Sequence, residues 1–274
     1  MTGPGARRVA ALQLNSQDDV GANLEACRAL VEKAGQNGAA IALLPENFAF
    51  FGADEGRYAV AERLGDADAP IQRALADMAR ASKLTVIGGG MPIQSDDPKR
   101  PYNALVAFGA DGALVANYRK IHLFDVALAD GTVLSESKGT TPGDDAVVVD
   151  VADLRLGLSI CYDLRFPELY RKLVDARADV LLVPAAFTVH TGKDHWHVLL
   201  RARAIESQSW VIAAAQWGKH PRGRTTYGHS MIVDPWGTVV AEASDGVGLI
   251  VADIDPEYSA RVRASLPSLD HRRL

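Results

Sequence analysis

Four runs in this chain are apolar at nearly every position instead of at every second one: "AAIALLPE" (39–46), "TVIGGG" (85–90), "DVLLVPAAF" (179–187) and "WVIAAAQW" (210–217). A strand with one face in water alternates apolar and polar residues, so an unbroken run marks a strand covered on both faces. Between these runs lie segments with helical spacing. "ANLEACRALVEKAGQNG" places Leu24, Cys27, Leu30, Val31 and Ala34 on one face, with Gly38 as its stop. "PIQRALADMARASKL" (70–84) starts a helix on Pro70, Pro167 and Glu168 start another, and "HWHVLLRARAIESQ" (195–208) gives a third. "RVAALQLN", "AVVVDV" and "LRLGLSI" add strands, and "NALVAFGADGALVANYRK" (103–120) is a hairpin turning at Asp111-Gly112. Residues 122–145 look like a long irregular connection. The segments "YGHSMIVD", "TVVAEA" and "VGLIVADID" look like an antiparallel meander. Strands interleaved with helices predict a layered α/β body built on a mixed sheet or two sheets. No linker, repeat or low-complexity stretch divides it, so residues 1–274 are expected to form one domain, with a core over 7–256 and an extension over 257–274.

Composition excludes several classes of function. The net charge is −5, and no basic run interleaved with aromatics suggests nucleic-acid binding. No stretch approaches the roughly 18 uninterrupted apolar residues of a membrane helix. Arg7 and Arg8 before "VAALQLN" imitate a signal peptide, but Gln13 and Asn15 interrupt it. Two cysteines do not make a disulfide scaffold and fit a reducing compartment, so a cytoplasmic protein is expected.

Chemistry concentrates at strand ends. Cys27 lies on a helix stripe and is expected in the core. Cys161 in "LGLSICYDLRFPELYR" follows a strand and precedes a helix started by proline, where α/β proteins display reactive groups. A thiol there needs a base, and the oxyanion formed by its attack needs donors. Glu46 ends a buried strand among Leu43, Leu44, Phe48, Phe50 and Phe51; a carboxylate in apolar surroundings is a stronger base. Lys120 ends the hairpin and could hold a fixed cation beside an oxyanion. His190, His195 and His197 could pass for a metal cluster. However, i and i+2 point to different helix faces, His190 precedes a Gly-containing loop, and neither HExxH nor paired CxxC is present, so no metal is expected.

Taken together and in order, "LLPENFAFFG", "YRKIHLFD" and "SICYDLRFPELY" resemble the three signature blocks of the nitrilase superfamily of carbon–nitrogen hydrolases. The likeness continues through "PAAF", "AAAQWGKH", "YGHSMIVDPWGTVVA" and "LPSLDHRR", and its later blocks are most similar to the Nit branch. The resemblance implies a four-layer αββα sandwich and a Glu46–Lys120–Cys161 triad that cleaves linear amides through a thioester. It also implies Glu136 as a second carboxylate orienting Lys120, and the backbone N–H of Tyr162 as an oxyanion donor. Arg165 is expected to face a keto-acid head, with an ion pair to Asp163 or Glu168 as the other reading. Phe187 and Thr191 are expected to line the pocket. The branch implies deaminated glutathione as substrate, releasing 2-oxoglutarate and Cys-Gly, with 2-oxoglutaramate or another short dicarboxylic amide as the alternative. For the distal carboxylate, "GKHPRGR" offers Lys219, His220, Arg222 and Arg224. No metal or organic cofactor is implied, and relatives pair through helices, so a homodimer or higher homo-oligomer is expected. A scaffold of the same fold without activity is the reading from another class.

Overall fold

The computed structural model describes residues 5–127 and 133–273. Two six-stranded sheets carry the structure. In the first, strand Arg7–Gln13 pairs in parallel with Ile41–Leu43, which pairs in parallel with Thr85–Ile93; Tyr102–Phe108 and Leu114–Arg119 continue antiparallel. The second repeats this plan, with Leu154–Leu158, Val180–Leu182 and Trp210–Ala213 parallel at the centre. Val148–Val151 lies on one flank, and Met231–Val233 and Val239–Glu242 on the other, all antiparallel.

Alternate residues of the first sheet enter different cores, which explains its unbroken apolar runs. Val9, Ala11, Ile41, Leu43 and Ile87 share one cluster with Leu156, Leu158, Leu181 and Val211 of the second sheet. Ala10, Leu12, Ala42 and Val86 share the other with helices Val20–Gln36 and Pro70–Ser82, through Cys27, Val31, Leu75 and Met78. Helices Pro167–Asp175 and Val189–Ser207 cover the outer face of the second sheet with Leu169, Leu173, Trp196 and Leu200. The layers are therefore α, β, β, α. Among the described residues, no helix is long and apolar enough to cross a membrane.

Three local expectations change. The last strand, Gly248–Ile254, does not extend a meander: it crosses to the first sheet and pairs antiparallel with Arg7–Gln13. The connection after Lys120 is more ordered than expected, with a ribbon of Asp125–Ala127 and Val133–Ser135 and a 3-10 turn over Glu136–Lys138; residues 128–132 of that connection lie outside the described residues. The long helix begins at Val189, so His190, Thr191 and Gly192 are helical and not in a loop. Thr188 caps it, accepting from the Thr191 N–H.

Glycine permits the closest approach of the two sheets. A Cβ on Gly89 would collide with the Leu44 carbonyl oxygen and the Pro184 ring, and one on Gly90 would lie 2.8 Å from Asn103 Oδ1 and 3.1 Å from Glu46 Cγ. Gly89→Ala is expected to cost about 1–3 kcal/mol, the usual range for overpacking a well-packed core. Urea unfolding would show this as a lower midpoint, and an unchanged midpoint would contradict it.

Candidate active site

The site lies where the carboxyl ends of both sheets meet. Glu46 follows strand Ile41–Leu43, Lys120 follows strand Leu114–Arg119, and Cys161 follows strand Leu154–Leu158 at the start of a 3-10 turn, Cys161–Arg165. Lys120 is 2% exposed and Glu46 4% exposed, so neither charge could persist there unpaired. Lys120 Nζ donates to Glu46 Oε1 at 2.9 Å and to both oxygens of Glu136, at 3.0 and 2.9 Å. Asn103 Nδ2 donates to Glu46 Oε1 at 2.9 Å, and the Ala186 N–H to Glu46 Oε2 at 3.0 Å. The phenylalanine-rich surroundings read from sequence are present, but the carboxylate itself meets a cation and two polar donors. The Phe124 N–H donates to Glu136 Oε2 at 2.7 Å.

Two carboxylates against one ammonium leave an excess negative charge, and Arg57 offsets it. Its guanidinium donates to the Gly139 carbonyl at 3.1 Å and to Thr140 Oγ1 at 2.6 Å, just beyond the Glu136 turn, with Glu136 and Glu46 among its charge partners. Burial pushes Glu136 upward, but the charge and hydrogen bonds of Lys120 outweigh it and hold the carboxyl below the usual range. Lys120 is held well above the ordinary lysine value: burial acts against its charge, and Glu136 and Glu46 overcome it.

Cys161 sits at φ 51°, a left-handed conformation uncommon outside glycine and frequent at strained functional positions. The surrounding bonds hold it there. Its N–H donates to the Pro184 carbonyl at 2.8 Å. Asp163, fully buried, accepts from the Ile160 N–H, the Tyr118 hydroxyl and the His122 N–H, and pairs with His122 Nδ1, all within 2.7–3.0 Å. Burial and the charge of Asp163 keep the Tyr118 hydroxyl protonated as a donor. The Cys161 thiol is pushed well above its ordinary value by burial and by the charge of Glu46, with Lys120 opposing. The N–H groups of a first helical turn have no carbonyl within the helix to meet. Those of Cys161 and Asp163 are committed, to Pro184 and Ile160, and that of Tyr162 lies between them.

A small pocket, with about 20 Å³ of accessible space, opens over Cys161, lined by Phe124, Tyr162, Arg165, Ala186, Phe187, Thr188 and Thr191. Tyr162, Arg165, Phe187 and Thr191, all expected from sequence at the substrate, are on this wall. Arg165 pairs with neither Asp163 nor Glu168; its guanidinium lies 5.3 Å from the Phe187 ring and contacts His195 Nδ1 at 3.2 Å. The "GKHPRGR" segment does not line the pocket. His220 is buried there, with Nδ1 bonded to the Ser16 carbonyl at 2.8 Å and Nε2 to Thr226 Oγ1 at 2.6 Å, so it has no nitrogen left for a carboxylate. Burial lowers its pKa. Asn103, Arg57, Asp163 and Gln216, whose Nε2 donates to the Glu46 carbonyl at 3.0 Å, were not singled out from sequence. A polar residue inside an apolar strand, as in "YNALVAF" and "AAAQW", is the signal that marks Asn103 and Gln216.

A sequence model described as "Carbon-nitrogen hydrolase" matches residues 8–264, which span both sheets and the three converging side chains. The chain belongs to that family and is a hydrolase acting on carbon–nitrogen bonds other than peptide bonds. It is 44% identical over 266 residues to the deaminated glutathione amidase of Synechocystis, covering 96% of this chain and 97% of that one. The crystal structure of Saccharomyces cerevisiae Nit3, a member of branch 10 of the nitrilase superfamily, superposes with a TM-score of 0.88 at 30% identity and full coverage of both chains. The amidase from Nesterenkonia sp. AN1, in which acrylamide has added to the active-site cysteine, superposes with a TM-score of 0.78 at 25% identity, covering 96% of this chain and 98% of that one.

Proposed function

We propose that this chain hydrolyses the amide bond of deaminated glutathione to 2-oxoglutarate and Cys-Gly, with Cys161 as nucleophile. The observation that carries this reading is the convergence of Glu46, Lys120 and Cys161 beneath a pocket that holds one guanidinium, Arg165. Glu46 takes the thiol proton as sulfur attacks the amide carbon. The tetrahedral oxyanion is held by Lys120 and the Tyr162 N–H, positioned before the charge appears. Glu46 then passes its proton to the leaving amine of Cys-Gly as the C–N bond breaks, leaving a 2-oxoglutaryl thioester. Water, deprotonated by Glu46, attacks that thioester and releases 2-oxoglutarate and the thiol. Glu136 fixes Lys120, and Arg165 meets the keto-acid carboxylate while Phe187 and Thr191 flank the carbon chain. The name borne by the Synechocystis relative supports this choice of substrate.

One observation favours the smaller substrate, 2-oxoglutaramate. The enclosed space over Cys161 is only about 20 Å³, against roughly 300–1,000 Å³ for typical small-molecule sites. Measured side by side, kcat/KM is expected to be higher for deaminated glutathione; an equal or higher value for 2-oxoglutaramate would reverse the ranking.

A homodimer joined through helix Val189–Ser207 completes this reading. Val198 and Ile205 on that helix and Trp236 beyond it are 65%, 48% and 58% exposed, apolar side chains that a second copy would cover. Both cysteines are free, which supports a reducing, cytoplasmic setting.

A further inference from the structure

Away from the pocket, three side chains from three elements converge on one point. His197 from helix Val189–Ser207 and His229 from the loop after strand Thr225–Tyr227 both reach Glu242, in strand Val239–Glu242. His197 Nε2 and His229 Nδ1 each lie 2.8 Å from the same oxygen, Glu242 Oε1. Among the described residues this is the one group of three such ligand atoms within 4.8 Å of one another. The proposed amidase reaction uses none of the three. The metal reading of the histidine-rich segment paired His197 with the wrong partners: His195, two residues away, turns to Arg165, and the partners of His197 come from distant segments.

We propose that His197, His229 and Glu242 form a binding site for a transition-metal cation of the zinc class. Two imidazoles and a carboxylate are a ligand set zinc uses, and imidazole nitrogen selects against calcium and magnesium, which prefer oxygen. Metal–ligand bonds of about 2.0–2.2 Å at tetrahedral angles put ligand atoms about 3.4 Å apart. The 2.8 Å pairs open by about half an ångström to admit the ion, a change within the reach of side-chain torsions. A solvent molecule takes the fourth position.

The surroundings prepare His229 for this role. Its ring stacks on Tyr227 at 4.4 Å between centroids, and its carbonyl accepts from Trp196 Nε1 at 2.8 Å. Its far nitrogen, Nε2, faces Asp245 Oδ1 at 3.9 Å, and Trp217 Nε1 anchors that carboxylate at 3.2 Å. When the metal takes Nδ1, the ring hydrogen resides on Nε2, on the side of Asp245, whose carboxylate at 3.9 Å favours it by charge without accepting a hydrogen bond. A ligand histidine backed by a carboxylate is the usual arrangement around such ions. The bound ion ties the helix to the last two strands of the second sheet. Trp196, adjacent to His197, packs on the pocket residue Phe187 at 4.9 Å, so the tie also braces the pocket wall.

The test is equilibrium dialysis of the full, tag-free chain against ZnCl2, with MgCl2 as control, in a Cys161→Ala background so that the pocket thiol takes no metal. One zinc and no magnesium per chain is the expected result, with affinity falling at least about tenfold in His197→Gln and in Glu242→Gln. Zinc should also raise the melting temperature of the parent chain and not of the variants. Absence of bound zinc, or binding that survives both substitutions, overturns the site. Should a variant fail to fold, zinc protection of His197 against diethylpyrocarbonate in the parent chain reads the same contact: protection supports the site and unimpeded modification overturns it.

Discussion

Cys161→Ala is expected to keep its fold and to lose at least about ten-thousandfold in turnover, the scale on which enzymes lose activity when their nucleophile is removed. The substitution removes one sulfur from a position that is 9% exposed and leaves the Pro184 and Asp163 bonds to the backbone in place. Alanine adopts the same φ at no greater strain than cysteine, so stability should change by less than about 1 kcal/mol. Lys120 and the Tyr162 N–H can still polarise a carbonyl, but no covalent bond follows. Mass spectrometry of the quenched reaction should find a 2-oxoglutaryl adduct on the parent chain and none on the variant. Turnover within tenfold of the parent would remove Cys161 from the mechanism.

Lys120→Met should destroy activity and also the balance of charge that makes the site foldable. Breaking a buried pair by removing one partner typically costs about 3–5 kcal/mol, because the remaining charge is left without compensation. Here two carboxylates remain, 5% and 18% exposed. The sign of the pH dependence follows. In the parent, Glu136 is held below the usual carboxylate range, so its contribution is present above that range and is lost as pH falls through the lowered value. Lys120, held high, contributes fully below the ordinary lysine value and loses that contribution as pH rises through its own. Without the ammonium, the burial that pushes the Glu136 carboxyl upward is no longer outweighed by Lys120, so the variant should gain stability as pH falls toward the carboxylate range while the parent does not. Thermal unfolding followed by circular dichroism checks this, and parallel pH profiles would contradict it.

Glu46 and Cys161 stand out in the sequence because each follows an apolar run, and Lys120 because it ends a hairpin strand just before another apolar cluster; the fold brings the three side chains together. The doubly covered strands were legible for a related reason: layers on both sides leave no polar positions. Contacts between layers were much harder to read. Asp163 looks like a surface partner for Arg165 in "CYDLR", and only the fold reveals that it binds Tyr118 and His122 from the opposite sheet. His220 sits in a basic segment yet is consumed by Ser16 and Thr226. "VGLIVADID" reads as a strand, but its pattern cannot say which of two sheet edges it joins. The metal-type cluster was invisible for the same reason, since its members lie 32 and 13 positions apart in the chain and meet only through the fold.

The junction of the two sheets divides the machinery unequally along the chain. Glu46, Asn103 and Lys120 belong to the half that a ribosome makes first, and Cys161 and Ala186 to the half that follows. A nascent or half-folded molecule thus carries either a bare ion pair or an ordinary, unreactive thiol. On the proposed reaction, amide-cleaving chemistry comes into being only when the sandwich closes and the two halves meet.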